Sequence, residues 1–206
     1  MTVALEVRNL VKKFGGLVAT NDLSFDLKEG ESLGLIGPNG AGKTTIFSQV
    51  MGELRQTSGT IELWGQEISN LSTAERIARG VSRTYQVPRP FSDLSVRENI
   101  RVGLTPDSLR AMIFGAPETA RETELALSVG FTEADLGRTA SELSMGDLRK
   151  LEFARTLATG ARVLLLDEVF AGLTTGEISM IAALIQDLRS KGFTFLMVSH
   201  DLHVVM

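Results

Sequence analysis

The sequence contains no cysteine, which excludes disulfides and thiolate metal sites and is compatible with a reducing cytosol. No apolar run approaches the ~18 residues that a bilayer-spanning helix requires, so any membrane role must come through a partner. No charged-then-apolar segment of the signal-peptide kind stands at the N-terminus. A clustered basic face is lacking too: 21 Lys and Arg are outweighed by 25 Asp and Glu, mixed along the chain, for a net charge of −4. That argues against nucleic acid as a partner. Internal repeats, low-complexity tracts and long linkers are also missing. What is there is the composition of an ordinary soluble protein, 43% hydrophobic and 22% charged. Its 206 residues suffice for one sizeable domain with room for a small subdomain.

Val3, Leu5 and Val7 alternate with Thr2, Ala4, Glu6 and Arg8, and Leu23, Phe25 and Leu27 alternate with Asp22, Ser24, Asp26 and Lys28. A period of two predicts half-buried, antiparallel strands. GTIELW (Gly59 to Trp64) reads as another short strand. SLGLIG (Ser32 to Gly37), VLLLD (Val163 to Asp167) and FTFLMVS (Phe193 to Ser199) are nearly continuous apolar runs. They predict strands buried on both faces of a mainly parallel sheet.

Helices are signalled by their caps. Ser72 with Glu75, Ser95 with Glu98 and Thr174 with Glu177 have the spacing at which each side chain satisfies the other residue's free backbone N–H. Ile178, Ile181, Ala182, Ile185 and Leu188 then recur at helical spacing, and Gly192 ends that helix. Between about Gln86 and Ser144 no buried strand is expected. Gly103 to Gly115 and Glu118 to Val129 read as helical or irregular. The expected fold is α/β, with a mainly parallel core sheet, an antiparallel β lobe and an inserted helical subdomain. Within one domain, residues 1–85 carry the antiparallel lobe and phosphate-loop core, 86–145 the helical subdomain, and 146–206 the rest of the core.

The strongest chemical motif is Gly37, Pro38, Asn39, Gly40, Ala41, Gly42, Lys43, Thr44, which fits GxxxxGK[ST] directly after the strand SLGLI. Glycines let backbone N–H groups curl around phosphate oxygens, and the following helix adds its positive end. Lys43 supplies a point charge for β- and γ-phosphates, Thr44 a hydroxyl for Mg²⁺, and Thr45 continues the same helix start. This predicts a P-loop nucleotide site. The second motif is VLLLDE. Asp167 ends a buried strand, where a lone carboxylate is costly without a partner such as a metal ion. Glu168 beside it is placed to accept a proton from, or orient, an attacking water. Taken alone, a DE pair can equally cap a strand at the surface.

With GPNGAGKTT, LSMGD, VLLLDE and VSHD in this order, nearly the whole chain resembles the ATP-binding cassette family. The resemblance implies an ATPase with ATP and Mg²⁺ as cofactors. It places Phe14 where an aromatic stacks on adenine, Gln86 where a glutamine contacts Mg²⁺ and the nucleophilic water, and His200 where a histidine contacts the γ-phosphate. Thr44, Gln86 and Asp167 become the metal residues, with Glu168, Lys43, Gln86 and His200 catalytic. KKFGGLVATNDLSFDL, TYQVPRPFSDLSVRENI and DEVFAGLT look like ATP-binding subunits of importers for branched-chain or other hydrophobic amino acids, or for urea. That implies integral-membrane permease subunits as partners, received by a groove of the Gln86 to Phe91 region and the helical lobe, and indirectly a solute-binding protein. It also implies a cytoplasmic protein peripheral on the inner face of the membrane.

In the same family the signature helix of a second subunit closes over the γ-phosphate, so LSMGD implies a homo- or heterodimer with another cassette subunit. Ser144 can cap the helix and donate its hydroxyl, and Gly146 allows backbone to approach phosphate. The commonest signature is LSGGQ. Here Met145 replaces its first glycine and Asp147 its glutamine. An added negative charge near phosphate is unfavourable unless it points away, and Asp147 has the spacing to reach back to the cap as in a capping box. A weakened but functional signature is the expectation. Thr174 stands where the family usually carries Asp or Asn. Relatives continue past DLHVVM with further strands and a helix, so a shortened C-terminus and an unprotected sheet edge are also expected. Two rival readings are a soluble cassette ATPase of DNA repair or translation and a nucleotide-binding but inactive fragment.

Overall fold

The computed structural model describes residues 2–38, 40–104 and 119–199. They fall into two units. The first holds the described residues up to Gln86, Ala161–Val169, and those from Ile185 onward. The second holds the described residues of Val87–Gly160 and Phe170–Leu184.

In the first unit β1 (Val3–Phe14) and β2 (Leu17–Lys28) form a long hairpin, and β4 (Ser58–Leu63) and β5 (Gln66–Glu67) extend it into an antiparallel sheet of order β2-β1-β4-β5. Leu5 lies opposite Leu27 and Leu63, and Val7 opposite Phe25 and Ile61, so alternation in three strands builds one apolar face. The alternation is not perfect. A register shift between Val3 and Leu5 buries Ala4 as well as Leu5. Another follows Val7, where Asn9 takes a positive φ of 47°.

The second sheet of this unit is parallel, in the order β3-β8-β7-β6, from β3 (Ser32–Ile36), β6 (Val81–Arg83), β7 (Val163–Asp167) and β8 (Thr194–Ser199). Val163 to Asp167 are all buried, as are Thr194 to Val198, because both strands have neighbours on either side. SLGLI does not follow the expected pattern. Among the described residues β3 pairs only with β8, and its residues are half-buried with Ile36 exposed. Apolar content reported a strand there but not its place in the sheet order. Strand β6 has only three residues, too few to show a period. One core joins Leu5, Val7, Leu10 and Ile61 of the antiparallel sheet to Phe47 and Val50, and to Val81, Leu165 and Leu196 of the parallel one. Phe47 and Val50 belong to α1 (Lys43–Met51). Helix α2 (Thr73–Ala78) completes the unit, with Arg76 donating to the Gln49 and Val50 carbonyls at the end of α1.

The second unit is helical among its described residues: α3 (Val96–Gly103), α4 (Thr119–Ser128), short 3-10 turns at Glu133–Gly137 and Ala140–Glu142, and α5 (Met145–Ala158). It also takes the first part of α6 (Thr175–Ser190), whose residues from Ile185 on belong to the first unit. Residues 105–118, within the stretch read as helical or irregular, lie outside the described residues. The capping pairs form as spaced. Ser72, Ser95 and Thr174 each accept from the backbone N–H of Glu75, Glu98 and Glu177, and each glutamate accepts the reciprocal N–H at 2.8 to 2.9 Å.

Candidate functional site

The phosphate loop joins β3 to α1. Gly40 and Gly42 have φ of 83° and 84°, and a Cβ on Gly42 would lie 2.3 Å from the Ala19 carbonyl oxygen. That position therefore needs glycine on both counts. Gly42 is the N-cap of α1, no side chain caps the helix there, and its first turn holds no acidic residue. The leading N–H groups of α1 are arranged to receive an anion from outside the helix. Lys43 is buried, with Nζ donating to the carbonyls of Gly37 at 2.5 Å and Pro38 at 2.9 Å. Its ammonium is thus drawn over the loop. Thr44 is exposed at the helix start and Thr45 half-buried. Asn39 lies outside the described residues, as does His200.

Asp167 and Glu168 follow β7 and differ in setting. Asp167 is buried and its Oδ2 accepts from Arg83 Nη2 at 2.8 Å. A guanidinium is thus one partner of this buried carboxylate. Parallel pairing of β6 with β7, with Arg83 opposite Leu165, brings the two together. Glu168 has a φ of 46°, uncommon for a residue with a side chain. Its N–H donates to the Val198 carbonyl at 3.1 Å, and its Oε2 accepts from Gln86 Nε2 at 2.9 Å. Gln86, Asp167 and Glu168 are thus gathered at one end of the parallel sheet. Among the described residues no group of three or more His, Cys, Asp or Glu could hold a metal. The Thr44 hydroxyl and Asp167 carboxylate are hard oxygen donors, and Mg²⁺ is commonly bound by one or two such protein groups with phosphate oxygens and water. The residues fit a nucleotide-borne Mg²⁺.

Phe14 ends β1 with its ring about half exposed, and Lys12 Nζ stands 5.0 Å from the ring centroid. The ring can stack on a planar ligand. No sequence period marked Arg83, Glu53 or Tyr85, yet they form a cluster on Asp167: Arg83 Nη1 donates to Glu53 Oε2 at 2.7 Å and Tyr85 Oη to Glu53 Oε1 at 3.0 Å. The only signal available beforehand was that a buried Asp167 requires a cation.

In the second unit Ser144 caps α5, its Oγ accepting from the Asp147 N–H at 3.1 Å. Asp147 does not complete a capping box. Its carboxylate turns instead to Lys150 Nζ at 3.0 Å and Arg138 Nη1 at 3.7 Å, because two cations outcompete one backbone N–H. Met145 is exposed. The Gly146 N–H donates to Glu177 Oε1 at 2.9 Å, while Glu177 Oε2 caps α6 through Thr174. The Thr174 N–H, then its hydroxyl, then the Gly146 N–H hold the Glu177 carboxyl below the ordinary range. One carboxylate thus serves two helix starts, a role that spacing alone did not signal.

Comparison with known proteins adds to this geometry. A family model described as ABC transporter matches residues 20–171. The chain is 37% identical, over 98% of its length and 84% of the relative's, to the high-affinity branched-chain amino acid transport ATP-binding protein LivG of Salmonella typhimurium. It is 38% identical, with the same two coverages, to the protein of that description called BraF from Pseudomonas aeruginosa. Its fold is similar to the ADP conformation of MJ1267, an ATP-binding cassette of an ABC transporter, with a TM-score of 0.88 and 29% identity over 100% of this chain and 84% of that one.

Proposed function

The chain belongs to the ABC transporter family, and on that premise we propose that it binds and hydrolyses ATP to power a membrane importer of branched-chain or related hydrophobic amino acids. The observation that carries the hydrolase reading is the Gln86 to Glu168 hydrogen bond. It fixes a carboxylate immediately after Asp167, at the end of β7, in the same unit as the phosphate loop. Similarity to LivG and BraF over nearly the whole chain supports the importer over a soluble cassette of DNA repair or translation.

In this reading the α1 N–H groups and Lys43 bind the β- and γ-phosphates and Phe14 stacks on adenine. Mg²⁺, when bound, neutralises charge on the phosphate oxygens, with Thr44, Asp167 and Gln86 as its protein neighbours. Glu168 orients water for in-line attack on the γ-phosphate, and Lys43 and His200 stabilise the charge that develops. Ser144, Met145 and Gly146 meet the ATP of a second cassette subunit, identical or related. Closure and opening of that dimer move permease subunits at the inner membrane face. No helix among the described residues is long and apolar enough to cross a membrane, so coupling runs through those permeases.

The test is Glu168→Gln. It should retain ATP binding and nucleotide-dependent dimerisation while steady-state phosphate release falls at least about a hundredfold. Undiminished hydrolysis would remove Glu168 from its role.

A further inference from the structure

A cluster of polar and charged side chains from separate elements meets at Asp167. The Arg83 side chain is 4% exposed and that of Asp167 6%. One guanidinium joins two carboxylates, donating to Asp167 Oδ2 at 2.8 Å, Glu53 Oε2 at 2.7 Å and Ser48 Oγ at 3.2 Å. The Tyr85 and Phe47 ring centroids lie 4.8 and 5.8 Å from its Cζ. Arg83 Nε is buried without a partner, so the fork is oriented for the two carboxylates at the expense of its third nitrogen. A charge held this way is stiff, since rings and anions constrain it from several directions.

We propose that Arg83 is a positioning residue for Asp167: a standing counter-ion that holds the carboxylate by Oδ2 and sets how strongly the site draws a divalent cation. The inference rests on the nucleotide-site reading above. A buried carboxylate awaiting a metal would be costly, and Arg83 removes that cost in advance. The same guanidinium repels a divalent ion approaching Asp167 and competes for its oxygens. Arg83 therefore exchanges metal affinity for a pre-oriented carboxylate. Glu53 moderates the exchange by drawing the guanidinium toward the end of α1. The two residues act on the cation with opposite sign.

That opposition separates the proposal from a merely structural role. Binding of a fluorescent ADP analogue is measured across a Mg²⁺ series and in EDTA, with Mn²⁺ binding followed by electron paramagnetic resonance. Arg83→Met should bind nucleotide in EDTA as the wild type does, with half-saturating Mg²⁺ lowered about fivefold. Glu53→Gln, which keeps the guanidinium and gives it wholly to Asp167, should raise half-saturating Mg²⁺ about threefold. Arg83→Lys, keeping the charge, should leave it within about twofold of wild type. A half-saturating Mg²⁺ that is unchanged or raised in Arg83→Met overturns the proposal. If Arg83→Met does not fold, Glu53→Gln decides alone: an unchanged or lowered value overturns it. Failure of the wild-type chain to bind nucleotide both in EDTA and at saturating Mg²⁺ is a separate result. It would overturn the nucleotide-site reading, and this inference with it.

Discussion

Asp147 stands in the first turn of a helix whose start is proposed to face phosphate, where an extra negative charge would be unfavourable. Lys150 and Arg138 draw its carboxylate toward themselves, so the charge is compensated within the same unit. Asp147→Gln should therefore change the steady-state ATPase rate by less than about twofold, the scale of a partly exposed ion pair. A tenfold or larger change would put the carboxylate into phosphate handling. Met145 is a different case. It keeps Ser144 and Gly146 in register, and nothing in the structure explains why methionine stands there. At Glu168 the positive φ and the Gln86 tether act together: a backbone strain that neighbouring bonds hold in place is the pattern of a pre-oriented reactive group. Glu168→Gln tests that residue directly.

Elements are held at their ends by acids. The Ser72 and Ser95 hydroxyls, followed by the backbone N–H groups of the same residues, depress the Glu75 and Glu98 carboxyls below their ordinary 4.5. The Thr132 hydroxyl, then its N–H, then Arg138 bring Asp135 from 3.8 to about 2. Glu177 is depressed by Thr174 and Gly146. A depressed folded-state value means the anion is favoured by folding. Its contribution is complete above the unfolded value and lost as pH falls through the folded one. Thermal midpoints should therefore be flat with respect to these caps above about pH 5 and decline below about 4.5, continuing toward pH 2 for Asp135. Ser72→Ala with Ser95→Ala should flatten the upper part of that decline. An equally steep decline in the double variant would separate these caps from acid sensitivity. The starts of α2, α3 and α6 were readable in advance because a capping box is local, spanning four residues. Sheet position was not: β3 and β7 are both apolar runs, and only pairing made one half-exposed and the other fully buried.

The phosphate loop with Asp167 and Glu168 lies in the first unit, and Ser144 to Asp147 lie in the second. In the proposed dimer the signature acts on ATP held by the other subunit. In a Glu168→Gln background, Met145→Glu, which adds a negative charge at an exposed signature position, should abolish ATP-dependent dimerisation, followed by light scattering after size exclusion. ATP binding by the free chain should be unchanged within about twofold. Loss of binding by the free chain would place the signature in the same subunit's site and refute action across the dimer.

What the sequence determined by itself is whatever depends on near neighbours or on a fixed backbone demand. The phosphate loop, the capped helices, the alternating hairpin and the strand-end acids all follow from spacing, because each is built by residues close along the chain. Tertiary structure decided what depends on residues far apart in sequence. It seated Arg83 on Asp167, brought Gln86 to Glu168, gave the Gly146 N–H to Glu177, and turned Asp147 to Lys150 and Arg138. These are contests among charged and polar partners over a few ångströms, and strand pairing and helix packing choose which partners come within reach.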